Sequence, residues 1–231
     1  MRKHKRVKRY QESGANFWQS YSDLMAAMLL MFILIMSLTI LQSMQLYESQ
    51  QKELEQLRSA KENIIGDLSE TFANSDFKVQ VDPKTGTITF DSEILFDFAK
   101  SDLKQEGKAF LKEFLPVYFD VILNEDNINY VSEIIIEGHA DTDGEYMENL
   151  ELSQDRAYSV VSFCLEENSG IVSDSQLKIL RKIVTANGRS FSDPVYNSNG
   201  TVNMAKSRRV EIKFRPKNDK MIEDMQSLFG D

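Results

Sequence analysis

The sequence predicts one N-terminal transmembrane helix followed by an α+β domain. Three features support this fold class: an uncharged apolar run near the N-terminus, an uneven distribution of charge, and a change of pattern near residue 70. Beyond that point short β-rich segments alternate with amphipathic helices. We predict a basic cytoplasmic tip, a transmembrane helix, a helical connector, a folded domain and a C-terminal tail at residues 1–16, 17–41, 42–69, 70–216 and 217–231.

Composition narrows the possible function classes. The 231 residues include 27 Lys and Arg against 36 Asp and Glu, a net charge of −9. Six of the first nine residues are basic, which leaves −15 for the remainder. An acidic body disfavours nucleic-acid binding, which relies on clustered Lys and Arg. The single cysteine, Cys164, cannot form an intrachain disulfide, and its place on an apolar helical face predicts a core residue.

The apolar run covers residues 24–41 without a charge. Its 18 residues correspond to about 27 Å of α-helix, close to the roughly 30 Å hydrocarbon core of a bilayer. Phe17, Trp18 and Tyr21 flank its basic end, as interfacial anchors do, and the basic tip predicts a cytoplasmic N-terminus with the acidic remainder outside. A cleaved signal peptide fits less well, because the run exceeds the usual length of about 7–15 residues and no A-x-A-like site follows it.

Asp23 stands at the start of this apolar run and has two interpretations. It is either an interfacial aspartate that headgroup water hydrates, or an ionisable group inside the membrane that faces a partner subunit or a water path. Ala26 and Ala27 lie on its helical face and permit another helix to approach closely. The segment FWQSYSDLMAAMLLMFILIM resembles the transmembrane helix of MotB-type stator subunits. That resemblance implies that Asp23 is the ion carrier.

The connector is polar and favours a helix, since it contains no Pro and only one Gly. Leu54, Leu57, Lys61, Ile64 and Leu68 follow a 3-4-3-4 spacing, which is a weak heptad. The pattern fits a solvated helical spacer or a short parallel coiled coil. The stator resemblance adds a third possibility, a plug that closes the complex before activation.

The folded domain alternates strands with helices. Strands are expected at residues 77–82 and 87–91 as a hairpin, and at residues 131–139, 184–188 and 208–214. Helices are expected at residues 102–123, 149–167 and 173–183, the first of which Pro116 bends or divides.

Three segments of this domain carry a family resemblance: ILFDFAKSDL, then IIIEGHADTDG with ENLELSQDRAYSVVSF, and finally NGRSFSDPVYN with AKSRRVEIKF. In order and spacing they resemble the C-terminal peptidoglycan-binding domain of the OmpA family. The resemblance implies an OmpA-like α+β fold of βαβαβ type that binds the diaminopimelate stem peptide. Asp141 would bind the ammonium group of that peptide and Arg156 its carboxylate. The supporting motif positions are Asn149, Leu152, Ser153 and Arg208.

A zwitterionic ligand needs one anion and one cation at a fixed spacing, and a guanidinium can hold a carboxylate through two hydrogen bonds. A plain salt bridge between Asp141 and Arg156 is the structural alternative. An EF-hand loop starting at Asp141 fails, because Tyr146 and Leu152 replace its required Gly and Glu. Since the second histidine, His4, lies across the predicted membrane from His139, we expect no metal and no cofactor. No acid and nucleophile pair indicates an enzyme.

The two resemblances together predict the B subunit of an ion-driven stator, most similar to the B subunits of Zorya anti-phage defence systems. We expect an inner-membrane protein that acts as a homodimer inside a ring of multi-span A subunits, carries H⁺ in preference to Na⁺, and holds peptidoglycan from the periplasm. A flagellar stator subunit and a passive peptidoglycan tether without ion transport are the alternatives.

Overall fold

The structure, a computed structural model, describes residues 3–77, 79–167 and 170–217, with side chains described from residue 17 onward. The side chains of the predicted basic tip, and the C-terminal tail from residue 218, lie outside this range. The chain divides between Leu54 and Glu55 into two compact units. Helices occupy α1 Lys3–Ala73, α2 Ser92–Leu95, α3 Gln105–Ile122, α4 Tyr146–Cys164, α5 Asp174–Ile183 and α6 Met204–Ser207. Strands occupy β1 Gln80–Val81, β2 Ile88–Asp91, β3 Val131–Gly138, β4 Val184–Gly188 and β5 Arg209–Pro216.

The first unit is the N-terminal part of α1. All side chains of residues 17–53 are exposed, including the whole apolar run, in which Leu30 is 67% exposed. Within the described residues, the helical stretch Phe17–Ala73 is the one long and apolar enough to cross a membrane. A helix that is apolar on every side and has no protein cover is stable where hydrocarbon surrounds it. This confirms the predicted N-terminal helix as the candidate membrane span.

The second unit is built on a five-stranded sheet with the order β1-β2-β5-β3-β4. All neighbouring strands are antiparallel except β3 and β4, which are parallel and are joined through α4 and α5. Alternate residues of β3 and β5 enter the hydrophobic core, among them Ile134, Ile136 and Ile212. The opposite face of these two strands carries the charged side chains of Glu133, Glu137, Glu211 and Lys213, beside Ile135. The predicted α+β fold is therefore confirmed.

The core of this unit begins earlier than the predicted boundary at residue 70. Ile64, Leu68 and Phe72, on the last turns of α1, belong to the core cluster, and the Phe72 ring lies 5.1 Å from that of Phe114. Ile64 and Leu68, two positions of the weak heptad, have no exposed surface. They are therefore not available for a coiled-coil seam with a second chain.

Helix α3 runs without a break through Pro116, which we expected to bend or divide it. Proline removes one helical hydrogen bond, the one that the carbonyl of Lys112 would accept. Lys112 lies on the exposed side of α3, where water can hydrate that carbonyl. The apolar face of the helix, including Phe114 and Tyr118, is fully buried, and this packing maintains one continuous helix.

Two glycines bring α4 unusually close to the sheet. A Cβ atom added to Gly138 would lie 2.2 Å from the carbonyl oxygen of Ser153, and one added to Gly188 would lie 2.6 Å from the backbone nitrogen of Gln154. Only glycine permits these approaches, because any side chain there would collide with the helix backbone. The glycines thus fix the distance of α4 from the ends of β3 and β4.

Candidate functional site

The predicted site residues meet at the edge of the sheet where β3 ends and β5 begins. Asp141 lies in the loop after β3, Arg156 lies on α4, and Arg208 directly precedes β5. Asp141 and Arg156 are 8% and 4% exposed, so both charged groups are largely removed from water. Buried charges are retained in proteins where they are paired or hydrogen-bonded.

The partner of Asp141 is Arg208. Oδ2 of Asp141 accepts a hydrogen bond from Nη1 of Arg208 at 2.7 Å, and Oδ1 accepts one from the backbone N–H of Asp143 at 3.0 Å. Arg208 also donates through Nη2 to Glu93 at 2.9 Å. These hydrogen bonds from Asp141 and Glu93 raise the pKa of Arg208 above its ordinary value. The sequence assigned Arg208 only a supporting place, and it gave no signal for Glu93.

Arg156 is held in a different way. Its Nε donates to the carbonyl oxygen of Lys100 at 2.9 Å, and its Cζ lies 5.3 Å from the centre of the Phe96 ring. The terminal amino groups of Arg156 make no hydrogen bond to any residue that the structure describes. Burial, reinforced by the positive charge of Arg208, lowers the pKa of Arg156, and the charge of Asp141 opposes that shift. The guanidinium is therefore positioned by its inner nitrogen and its flat face, and its outer donors remain available to an anion.

The salt bridge between Asp141 and Arg156 that we considered as an alternative is replaced by the pair of Asp141 with Arg208. The loop that supplies Lys100 is constrained, since Ala99 adopts a left-handed conformation with φ of 58°. Phe96 and Lys100 belong to the segment ILFDFAKSDL, which the sequence singled out without assigning a contact to either residue.

The remaining predicted residues position the loops around the two charges. Asn149 Nδ2 donates to the carbonyl oxygen of Asp143 at 2.7 Å and closes the loop that carries Asp141. Ser153 Oγ accepts the backbone N–H of Ser190 at 3.0 Å. Ser190, which is buried and has φ of 49°, accepts the backbone N–H of Ala140 at 2.8 Å through its carbonyl oxygen. Leu152 is half-buried on α4.

Asp23 lies in the first unit, whereas the residues of this site belong to the second. Its side chain is exposed on α1, one residue before the uncharged apolar run. Ala26 and Ala27, on the same side of the helix, are also exposed, so this side of α1 is not covered by any described residue.

A second cluster of charged residues lies on the face of the sheet opposite the hydrophobic core. Glu137 and Glu211 are directly opposite each other on β3 and β5, and Lys213 Nζ lies 2.6 and 2.7 Å from their Oε2 atoms. Burial alone would raise the pKa of Glu137, but the nearby His139 ring, together with hydrogen bonds from Lys213 and Asn187, outweighs it and holds the pKa at about 2. Glu211 behaves in the same way, and its pKa also lies well below the ordinary value.

His139 joins this cluster. The sequence did not indicate the contact, because Glu137 and Glu211 come together only through the pairing of β3 with β5. Its Nε2 lies 3.6 Å from Glu137 Oε2 and 3.5 Å from Glu211 Oε2. Glu137, His139 and Glu211 are the residues of the described chain whose ligand atoms, all within 4.8 Å of one another, could hold a metal ion.

Comparison with known proteins agrees with this fold. Residues 95–208 match the OmpA family. The chain is 30% identical over 216 residues to the Zorya protein ZorB of Escherichia coli O139:H28 (strain E24377A / ETEC), covering 90% of this chain and 83% of that protein. It is 28% identical over 208 residues to the Zorya protein ZorB of Escherichia coli strain ATCC 8739, covering 85% and 86%. A solved structure of a putative MotB like protein from Desulfovibrio vulgaris is 21% identical, with a TM-score of 0.46, and the match covers 72% of this chain and 95% of that one. With an apolar N-terminal helix, an OmpA-family domain and this level of identity over nearly its whole length, the chain belongs to the family of the Zorya protein ZorB.

Proposed function

We propose that this chain is the B subunit of a proton-driven, stator-type membrane motor that serves anti-phage defence in the manner of Zorya systems. In this proposal Asp23 carries the ion, and the folded domain anchors the complex to peptidoglycan from the periplasm. The observation that carries the proposal is the buried Arg156, whose outer donors make no hydrogen bond to the described residues, near the Asp141 carboxylate that Arg208 holds in place.

This arrangement suits the zwitterionic end of a diaminopimelate stem peptide. The carboxylate of the ligand would take the terminal amino groups of Arg156, which Phe96 and the carbonyl of Lys100 orient in advance. The ammonium group would approach the carboxylate of Asp141, whose neighbour Arg208 also contacts Glu93. Low exposure of Asp141 and Arg156 strengthens both contacts, since little water competes for them.

Sedimentation with purified peptidoglycan tests the anchoring step. The full chain in detergent should pellet with peptidoglycan, and free meso-diaminopimelate should release it. Asp141→Asn and Arg156→Gln should each abolish pelleting. Arg156→Lys should bind weakly, because an ammonium group keeps the charge but loses the planar fork and the contact with Phe96.

Asp143→Asn is the matched control, because it removes a negative charge from the same loop at an exposed position. It should pellet like the unaltered chain. If Asp141→Asn and Arg156→Gln pelleted as well as this control while melting at the same temperature, peptidoglycan anchoring through this site would be rejected.

The ion step rests on the position of Asp23 at the start of an uncharged helix. A carboxylate on a single helix cannot form a pathway by itself, so we infer that a second copy of this chain and a surrounding ring of multi-span A subunits complete it. Ala26 and Ala27 leave room beside Asp23 for such a neighbouring helix. Moving one charge through a potential of 100 mV releases about 2.3 kcal/mol, which repeated steps can convert to rotation.

Asp23→Asn, in cells that carry the complete system, tests this step. The variant should lose ion flux and phage protection, whereas Glu48→Gln, which removes a charge from the same helix beyond the apolar run, should retain both. Full phage protection together with unchanged ion flux in Asp23→Asn would refute the proposal that Asp23 carries the ion. Scoring the same variants for phage plating and for swimming on soft agar separates defence from a flagellar function.

A further inference from the structure

We propose that Glu137, His139 and Glu211 form a binding site for a divalent transition-metal ion such as Zn²⁺, on the face of the sheet that carries the charged residues. Glu137 and His139 are two residues apart, so their side chains lie on the same side of the strand and its extension. Glu211 completes the group from the adjacent strand, because the register places it opposite Glu137.

Each of the two carboxylates accepts a hydrogen bond from a neighbouring side chain through Oε1 and directs Oε2 toward His139. Oε1 of Glu137 accepts a hydrogen bond from Asn187 at 3.0 Å, and Oε1 of Glu211 accepts one from Arg209 at 2.5 Å. The Oε2 atoms both face Nε2 of His139, at 3.6 and 3.5 Å. Ligands of a tetrahedral zinc ion, each about 2.0–2.2 Å from the metal, lie roughly 3.3–3.6 Å apart. The spacing of His139 from each carboxylate therefore matches a shared metal ion.

The burial of His139 and its lack of a hydrogen-bond partner are a second, independent indication of a metal site. The residue is 1% exposed, and neither ring nitrogen has a hydrogen-bond partner among the described residues. A buried polar atom without a partner costs free energy, so such atoms are rare in folded proteins. A metal ion would use the lone pair of Nε2, and a neutral imidazole with two carboxylates would supply the two negative charges that balance a divalent cation.

Lys213 occupies the same acidic pair in the structure. Its Nζ lies 2.6 Å from Glu137 Oε2 and 2.7 Å from Glu211 Oε2, so the ammonium group offsets the repulsion of two carboxylates at directly opposite positions. The side chain of Lys213 is 32% exposed, which gives it a path to solvent when a metal ion enters. Metal and ammonium therefore compete, and the lysine keeps the carboxylates together until the ion arrives.

Titration of the full chain in detergent tests the proposal, with Zn²⁺ measured against a chromogenic chelator and Co²⁺ followed by its visible absorption. We expect one ion per chain and a tetrahedral Co²⁺ spectrum. His139→Gln and Glu211→Gln should each weaken binding at least tenfold. Lys213→Met should tighten it, because the competing ammonium group is gone.

Two matched variants exclude other sources of binding. His4→Gln removes the other histidine of the chain. Glu133→Gln removes a carboxylate on the same face of β3 that pairs with Arg215 instead. Both should bind metal like the unaltered chain. Absence of one-to-one binding, equal affinity in a His139→Gln protein that melts normally, or no gain in Lys213→Met would each overturn the proposal, whatever the result of the peptidoglycan experiment.

Discussion

Gly138 offers a direct test of how the fold positions the candidate peptidoglycan site. It ends β3, three residues before Asp141, and it faces the carbonyl of Ser153, three residues before Arg156 on α4. A methyl group at this position would push α4, which carries Arg156, away from the end of β3, which leads to Asp141. Gly138→Ala should therefore change both stability and binding.

The expected size follows from the contact distance. The new Cβ atom would lie 2.2 Å from the carbonyl oxygen of Ser153, whereas close carbon–oxygen contacts are about 3.3 Å. The helix must therefore move by about 1 Å, and overpacking of this kind costs about 1–3 kcal/mol. A loss of about 2 kcal/mol corresponds to a melting temperature lower by roughly 4–8 °C. Because the movement separates Asp141 from Arg156, we expect affinity for peptidoglycan to fall at least tenfold in the folded protein, equivalent to about 1.4 kcal/mol.

The assay is thermal unfolding by circular dichroism together with peptidoglycan sedimentation well below the melting temperature. Gly66→Ala is the matched control, since a Cβ atom at this helical position meets nothing within 4 Å. Alanine there should stabilise the protein by about 0.5–1 kcal/mol. If Gly138→Ala melted with the unaltered chain and bound peptidoglycan equally well, the close approach of α4 to β3 would not control the site.

Three further predictions concern the folded domain. The folded-state pKa of Glu137, about 2, lies below its ordinary 4.5, so its stabilising contribution is complete above pH 4.5 and is lost as the pH falls to 2. The melting temperature should therefore decrease more steeply over this interval in the unaltered chain than in Glu137→Gln, and equal slopes would contradict the ion-pair account. Cys164 is fully buried, and burial raises its pKa to about 12. Maleimide should therefore label it only after denaturation, and rapid labelling of the native protein would contradict its burial in the core. Ser173 caps α5 by accepting the N–H of Gln176, so Ser173→Ala should cost about 1 kcal/mol, seen as a lower melting temperature. An equal loss in Ser175→Ala, inside the first turn of α5, would show that the effect is not specific to the cap.

Much of the fold could be predicted from local patterns. An uncharged run of 18 residues and the alternation of strands with amphipathic helices depend on neighbours in the chain, and both survive folding. The end of α1 could not be placed, because the apolar spacing of Ile64 and Leu68 is the same for a coiled coil and for packing against a domain. Only the tertiary contact with the core distinguishes them.

The candidate peptidoglycan site, likewise, could be predicted only in part, because its ion pair joins residues that are distant in the chain. The resemblance identified Asp141 and Arg156, but the ion pair joins Asp141 to Arg208, 67 residues away. Choosing between two arginines requires the direction of each side chain, and that direction depends on the contacts of Arg156 with Phe96 and Lys100. No spacing rule within one segment contains this information.

The register of β3 against β5 connects the candidate peptidoglycan site with the charged cluster. Arg208 pairs with Asp141 at the candidate peptidoglycan site, and the next residue, Arg209, pairs with Glu211 in the charged cluster. Consecutive residues of an extended segment point to opposite sides, so Arg208 faces Asp141 whereas Arg209 lies on the same side as Glu211, two residues further along β5. A shift by one residue would exchange the two side chains and would also remove Glu211 from its position opposite Glu137. The consecutive arginines of the segment SRRVEIKF are thus explained by two separate acidic partners: Asp141, which follows β3 and meets Arg208, and Glu211, which lies on β5 with Arg209.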